Sequence, residues 1–313
     1  MVKSVANLKS SHLQVPPPRM TAPPVFGYTS PPAGSAGKET AFHAGGVSMR
    51  ICMAGACGRM GRRILEMAAA TDDIQIGGGF DIAELAGTEI TAGLESGKPV
   101  RMTVGGDVSS ELANSDVLID FTAPDACVEN ARAAALAGVP VVIGTTGLNE
   151  DQRAALRGLA GHIAVVHAPN MSIGVNLLFK LAGEVAAVLG PDYNVEIVEV
   201  HHNQKKDSPS GTAVRLAERV AGALGWDYAT DTAHGRKGII GARPRRQIGM
   251  HAVRGGDVVG DHTVSFIGPG ERVELVHRAH NRDNFARGAL VAARFAVSAA
   301  PGLYDMQDVL ALR

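Results

Sequence analysis

An α/β fold is what this sequence predicts: a doubly wound parallel sheet first, then a second α+β domain with a mixed, largely antiparallel sheet. Three observations carry that prediction. From Arg50 to Val166 short apolar runs alternate with helical patterns, the arrangement of a parallel sheet covered by helices. A glycine-spaced turn, Gly55-x-x-Gly58-x-x-Gly61, separates the first apolar run from the first helix. Beyond Met171 the period changes, and strand-like runs follow one another with glycine turns between them.

The elements follow in order. Arg50 to Ala54 is a short apolar run ending at glycine, and Arg62 to Ala70 places Ile64, Leu65, Met67 and Ala68 at helical spacing. Ile74 to Phe80 is a second strand, followed by Asp81. Val117 to Phe121, Val139 to Ile143 and Ile163 to Val166 are further buried strands, with an alanine-rich helix at Asp125 to Ala137. In the second region Val175 to Leu189 reads as an amphipathic helix, and Val195 to Val200 alternates as a half-buried strand leading into His201. A helix over Thr212 to Leu224 precedes strands at Ile248 to Val253, His262 to Phe266 and Val273 to Ala279. The turns Gly255-Gly256 and Gly268-Pro-Gly270 between those strands favour antiparallel pairing. A last helix, Asn284 to Ser298, is small on one face and suited to packing back on the first domain. The expected organisation is therefore a disordered extension at 1 to 48, a dinucleotide-binding domain at 49 to 171, a substrate-binding and oligomerisation domain at 172 to 282, and a returning segment at 283 to 313.

The glycine turn has a chemical reading. Glycines at this spacing let a backbone approach a pyrophosphate, and the following helix N-terminus faces the phosphates. The turn follows a strand, opens a helix, and is followed twenty residues after Gly61 by Asp81 at the next strand end, where a carboxylate can hold ribose hydroxyls. That context makes the sheet Rossmann-like. It marks Gly55, Ala56, Cys57, Gly58, Arg59, Met60 and Asp81 as cofactor-binding candidates. Gly144, Thr145 and Thr146 close one strand, while Ala168, Pro169, Asn170 and Met171 close another, and ligands of open α/β sheets bind at such carboxyl ends. A carboxylate at Asp81 followed by Ile82 disfavours a 2′-phosphate, with Arg59 as a partial offset, so NADH is favoured and NADPH left open.

The densest chemistry lies at Glu199-Val-His-His-Asn-Gln-Lys-Lys-Asp-Ser-Pro-Ser-Gly-Thr212. Histidine past a strand end can exchange a proton near neutral pH, and a lysine four residues on can steady a carboxylate or donate a proton. Ser210 is a candidate N-cap, and the amides of Gly211 and Thr212 can accept a carboxylate. Two anion sites in one loop imply a small dicarboxylate.

Composition bounds the alternatives. With 30 basic and 31 acidic residues and 45% hydrophobic residues, no strong charge calls for nucleic acid or membrane. Cys52, Cys57 and Cys127 lack CxxC spacing, which disfavours a disulfide framework or zinc site and fits a reducing cytoplasm. The adjacent histidines lack a third ligand at suitable spacing, so no metal is expected. No apolar run reaches the roughly 18 residues that span a bilayer without a break by glycine or charge. His277 and His280 read as structural or peripheral, and Cys127 as a nucleophile only for an acyl-enzyme chemistry.

These residues resemble the 4-hydroxy-tetrahydrodipicolinate reductase family, of the diaminopimelate route to lysine, over nearly all of residues 49 to 313. The matching segments are Gly55-Ala-Cys-Gly-Arg-Met-Gly61, Ile119-Asp-Phe-Thr122, Val142-Ile-Gly-Thr-Thr-Gly147, Asn170, Ser172-x-Gly-Val-Asn176, Glu199-x-His-His-x-x-Lys205, Pro209-Ser-Gly-Thr-Ala213 and Gly256 to His262. The resemblance implies His201 as proton donor and acceptor and Lys205 as proton donor. It implies His202 and the Gly211-Thr212 amides on substrate carboxylates, NAD(P)H along Gly55 to Met60, and a homotetramer built through the second sheet. Cys57 stands where glycine is frequent, and Ile82 and Ala123 stand where arginines occur, which weakens a 2′-phosphate site. Another nicotinamide enzyme of this architecture, such as a semialdehyde dehydrogenase using Cys127, and a silent nucleotide sensor are the rival readings.

Overall fold

The computed structural model describes residues 48–313, so the extension expected to be disordered lies, Ser48 apart, outside the described residues. The chain runs β1 (Met49–Ala54), α1 (Arg59–Ala69), β2 (Ile74–Phe80), β3 (Glu89–Ala92), β4 (Val100–Thr103), α2 (Val108–Leu112), β5 (Val117–Asp120), α3 (Pro124–Ala137), β6 (Val141–Ile143), α4 (Glu150–Leu159) and β7 (Ala164–His167). It continues through α5 (Ile173–Leu189), β8 (Asn194–His201), α6 (Gly211–Leu224), α7 (Tyr228–Asp231), β9 (Thr232–His234), β10 (Ile248–Arg254), β11 (Gly260–Gly268), β12 (Glu271–Ala279), α8 (Asp283–Ser298), β13 (Gly302–Tyr304) and α9 (Met306–Val309).

The first sheet has the order β13-β7-β6-β5-β1-β2, and all five pairings are parallel. Its inner strands need apolar residues on both faces, and β1 from Ile51, β5 and β6 are buried throughout. The order reverses between β1 and β5, which opens a crevice at their carboxyl ends, beside Gly55 and Phe121. Helix α1 begins one turn earlier than its apolar spacing indicates, because Gly58 is extended (φ −68°, ψ 165°) and serves as N-cap directly before Arg59. The β3–β4 hairpin, α2, α4 and β13 also belong to this half.

The second sheet has the order β12-β11-β8-β10-β9. Strand β11 is antiparallel to β12 and β8, whereas β10 is parallel to β8 and β9. The Gly268-Pro269-Gly270 turn closes the β11–β12 hairpin, with Gly270 at φ +83°. Gly255-Gly256 does not close a hairpin, contrary to the expectation, because β8 lies between β10 and β11. Its backbone binds the chain leaving β8 instead: Gly255 N donates to His201 O (3.0 Å), Asn203 N to Gly256 O (3.1 Å) and His202 N to Val258 O (2.8 Å).

Helices α5 and α6 cover one face of this sheet through Val175, Leu178, Phe179, Ala182, Leu216, Ala217 and Val220. The segment Ile173–Asp192 is, by length and composition, apolar enough to cross a membrane. Lys180, Gly183 and Glu184 interrupt it. Here its apolar side is used against α6, β12 and β11. Helix α8 returns to the first sheet, where Ala286, Ala289, Leu290 and Ala293 pack with Ile64, Leu65 and Val142. Gly288 permits that approach, since a Cβ there would lie 1.7 Å from Met171 O.

Candidate active site

Three neighbouring cavities run along the crevice between the sheets. The outer one, about 510 Å³, is lined by Gly55, Cys57, Gly58, Asp81 and Ile82 among others. It shares Gly58, Phe121 and Thr122 with a second cavity of about 550 Å³ that reaches His201, His202, Lys205 and His262. The third, about 810 Å³, shares Asn170, His201, Lys205 and Thr212 with the second and extends past Ser210 and Gly211. The larger part of the predicted site residues therefore lines one continuous groove. Ala56 lines none of the three and is fully buried in the core. The Met171 side chain is 2% exposed and mainly packs in the core.

The glycine turn is closed by its own hydrogen bonds. Gly55 N and Ala56 N donate to Phe80 O, Gly58 N to Gly55 O, and Cys57 N to Asp81 Oδ2 at 2.8 Å. The amides left facing outward are those of the first turn of α1, which have no acceptor within the helix. The Arg59 and Met60 amides, unlike those of Gly55 and Ala56, are thus able to donate to an anion. A Cβ on Gly55 would meet Phe121 O at 2.6 Å and one on Gly61 would meet Gly55 O at 2.1 Å, so the turn has room only for glycine at those points. Among the described residues lining the outer cavity there is no lysine or arginine to meet a 2′-phosphate beside Asp81.

Thr145 and Thr122 are fixed by Asp120, which is fully buried at the end of β5. Its carboxylate accepts from Thr145 Oγ1 (2.6 Å), Thr122 Oγ1 (2.8 Å), Thr122 N (3.2 Å) and Asn130 Nδ2 (2.8 Å). Asn170 ties the two sheets together: its Nδ2 donates to Thr212 Oγ1 (3.0 Å), and its Oδ1 accepts from Ser172 N (2.9 Å).

On the other wall, His201 ends β8 and is 7% exposed. Its Nδ1 lies 2.5 Å from Glu199 Oε2. Glu199, 1% exposed, also receives a two-pronged contact from Arg254 Nη1 and Nη2 (2.7 Å each) and the Ser210 N–H (3.0 Å). Burial works to raise the Glu199 pKa, but the hydrogen bonds from Arg254, His201 and Ser210 outweigh it and hold the group below the usual carboxylate range. An ionised carboxylate only accepts, so His201 carries its proton on Nδ1 and presents Nε2 as a lone pair. Burial lowers the His201 pKa most. Glu199 opposes that, Lys205 and Arg254 add to it, and the net shift is downward. Gly260 leaves Nε2 open, since a Cβ there would sit 3.0 Å from it.

Ser210 caps α6 by accepting from Ala213 N (3.2 Å), and its hydroxyl lies 3.1 Å from His262 Nε2. The Gly211 and Thr212 amides begin α6 and so lack intrahelical acceptors. Lys205 Nζ lies 2.9 Å from Asp207 Oδ1, and His202 lines the middle cavity. Among the described residues no group of three or more His, Cys, Asp or Glu is placed to hold a metal ion.

Sequence reasoning missed Arg254, took His262 only as the end of a matching segment, and read His277 as structural or peripheral, whereas both histidines line the middle cavity. Arg254 is some fifty residues from His201 in sequence and reaches it only because β10 pairs with β8 in the register Arg254↔His201. His262 and His277 are cross-strand partners whose faces point at the crevice. For His262 the alternation of β11 was the available signal.

A parallel sheet with a glycine turn at its switch point, facing a buried histidine and a lysine across one groove, defines a dinucleotide-dependent oxidoreductase. Comparison with known proteins sharpens the class. The family described as "Dihydrodipicolinate reductase, N-terminus" matches residues 49–171, and its C-terminal counterpart matches residues 174–310. A 4-hydroxy-tetrahydrodipicolinate reductase of Syntrophotalea carbinolica is 49% identical over 266 residues, covering 85% of this chain and 100% of the relative. One from Geobacter metallireducens is 50% identical over 268 residues, with the same coverage. A solved dipicolinate-bound dihydrodipicolinate reductase from Paenisporosarcina sp. TG-14 superposes with a TM-score of 0.67 at 25% identity, over 84% of this chain and 99% of that one. The chain belongs to the dihydrodipicolinate reductase family and is an NAD(P)H-dependent oxidoreductase.

Proposed function

We propose the following account of how this chain performs its family's reaction. The reaction is the reduction of 4-hydroxy-tetrahydrodipicolinate to tetrahydrodipicolinate with NAD(P)H and one proton, releasing NAD(P)⁺ and water, in the diaminopimelate route to lysine. The residues present fit the dinucleotide: a glycine-only turn, outward amides at Arg59 and Met60, and Asp81 at the next strand end. Asp81 would hold the ribose, and Gly144 to Thr146 with Ala168 to Met171 would flank the nicotinamide, whose bound reduced form supplies hydride.

The remaining work falls to the second half. The Gly211 and Thr212 amides, Ser210 and His202 hold the substrate carboxylates, as a helix N-terminus is suited to do. Lys205 supplies a proton. His201, neutral and with a bare Nε2, takes one and returns it. The observation that carries this reading is the convergence of His201, Lys205 and the α6 N-terminus on the same groove as the glycine turn.

The absence of a lysine or arginine from the described lining of the outer cavity supports NADH as the favoured cofactor, with NADPH also accepted. Val253 and Val276, each 46% exposed on the sheet face away from α5 and α6, support a homotetramer assembled through that face, and the free cysteines Cys52, Cys57 and Cys127 support a cytoplasmic enzyme.

The test is oxidation of NADH and NADPH in parallel, with substrate made freshly from pyruvate and aspartate semialdehyde by the preceding synthase. Rapid oxidation that is lost in His201→Gln and Lys205→Ala is expected, with NADH the better donor. A folded protein that binds NADH and oxidises neither would overturn the reading.

A further inference from the structure

We propose that Arg254 and Glu199 are the positioning residues of this site: through one buried carboxylate they fix the ring of His201 and the loop that carries Lys205 as a single unit. The inference rests on the assignment of His201 as the proton-transfer group.

The geometry leaves Glu199 no spare capacity for another role. Its Oε2 takes His201 Nδ1 and Arg254 Nη1, and its Oε1 takes Arg254 Nη2 and the Ser210 N–H. Four donors saturate a carboxylate. The Arg254 fork meets it in the bidentate arrangement that fixes direction as well as distance. Arg254 then reaches one step further, donating from Nη2 to Asp207 O at 2.8 Å. That carbonyl lies in the segment between Lys205 and Ser210, and the Asp207 side chain pairs with Lys205. Rotation of the Arg254 fork therefore disturbs the histidine ring, the lysine loop and the first turn of α6 together.

The charges around His201 give this unit an electrical signature. Facing the ring are Glu199 on its own strand, Arg254 on β10, Lys205 and Asp207 on the loop, and His262 on β11, with His277 beyond it on β12. Glu199 favours the imidazolium, whereas Arg254 and Lys205 disfavour it. Removing the Arg254 cation moves the His201 titration to higher pH, and removing the Glu199 charge moves it to lower pH. A purely structural role for either residue predicts no such opposed movement.

The experiment uses the full chain with NADH and freshly generated substrate, and reads kcat and KM from about pH 5 to 9. In Arg254→Met kcat falls ~10 to 100-fold, the scale on which orienting partners act, and the acid limb of the kcat profile moves up. In Glu199→Gln kcat also falls and the limb moves down. Arg254→Lys keeps the charge but loses the fork, so it leaves the limb near its wild-type position while kcat drops. Nitrogen NMR of the wild-type histidines supplies a readout independent of turnover and of variant folding: His201 should be protonated at Nδ1 and bare at Nε2 at pH 7.5. Wild-type kcat in Arg254→Met, equal limbs in Arg254→Met and Glu199→Gln, or His201 protonated at Nε2 would each overturn the proposal. A wild-type chain without turnover but with the Nδ1–H tautomer would instead overturn the functional assignment and leave the positioning geometry standing.

Discussion

Gly61→Ala is expected to loosen the cofactor site by an amount that can be worked from one contact. A Cβ at residue 61 would lie 2.1 Å from Gly55 O and 2.9 Å from Gly55 C and Ala56 Cα, all backbone atoms that no rotamer change can move aside. To restore ordinary contact, the start of α1 must retreat from the turn by about 1 Å. Ile64 and Leu65 on the same helix are fully buried, so the retreat is resisted by the core, and overpacking of this kind costs about 1–3 kcal/mol of stability. A misplacement of about 1 Å at a preorganised site weakens function on the order of 100-fold. NADH titration by fluorescence, with thermal unfolding in parallel, reads both effects. Two controls grade the result: Gly58→Ala meets only Gly55 O at 3.1 Å, and Gly211→Ala meets nothing within 4 Å. Those variants should bind NADH within a few-fold of wild type, about 1 kcal/mol or less. NADH affinity in Gly61→Ala equal to that of Gly58→Ala would refute the reasoning.

Burial first, and then the neighbouring His201 charge, push His262 down from 6.5 to about 3. Between those values the unfolded chain binds the proton and the folded chain does not. Stability therefore rises with pH across that window and is lost as pH falls from about 6.5, at about 1.4 kcal/mol per pH unit; urea unfolding of His262→Asn should show a slope shallower by that amount, and an unchanged slope counts against it. Asp120→Asn replaces an acceptor of four hydrogen bonds by a group that must itself donate, leaving Thr145 or Thr122 unmatched, so thermal stability should fall by about 1–3 kcal/mol and the KM for NADH should rise more than that for the substrate. Burial holds the Cys52 thiol up at about 12 and raises Cys127 as well, both being fully buried. Neither should react with iodoacetamide in the native state; labelling of Cys127 with loss of activity would revive the semialdehyde dehydrogenase reading.

The first sheet was legible because its strands are buried on both faces and its helices are long enough to show a period. Strands β3, β4, β9 and the edge strand β13 were not, since each is short and carries exposed positions in place of a continuous buried run. Helix α4 carried a readable signal that went unused: Asn149 and Gln152 form a capping box. The order of the second sheet could not be read locally, because a glycine turn reports that the chain bends and not which strand it bends beside. Gly255-Gly256 bends next to β8, and that single fact decides whether Arg254 meets Glu199 or solvent. The loop chemistry from His201 to Thr212 was legible as residue types, whereas its partners Arg254 and His262 come from later strands, about forty to sixty residues away.

That division has a physical cause. The groups that would touch cofactor and substrate sit where a strand ends or a helix begins, and such boundaries leave local marks: glycine for close approach, serine for a cap, paired charges for an exposed anion site. The groups that orient them, Glu199, Arg254 and Asp120, leave no such mark, because any residue type is tolerated at a strand position if its partner is present. Glu199 alternates in register with Val195 and Ile197 on the inward face of β8, a position that would otherwise hold an aliphatic side chain. A carboxylate at 1% exposure is tolerable only with its donors in place, and three of its four hydrogen bonds come from Arg254 and His201. Loss of Arg254 would strand the Glu199 charge and release the His201 ring, so the sheet register that brings Arg254 to Glu199 also sets the proton-transfer geometry.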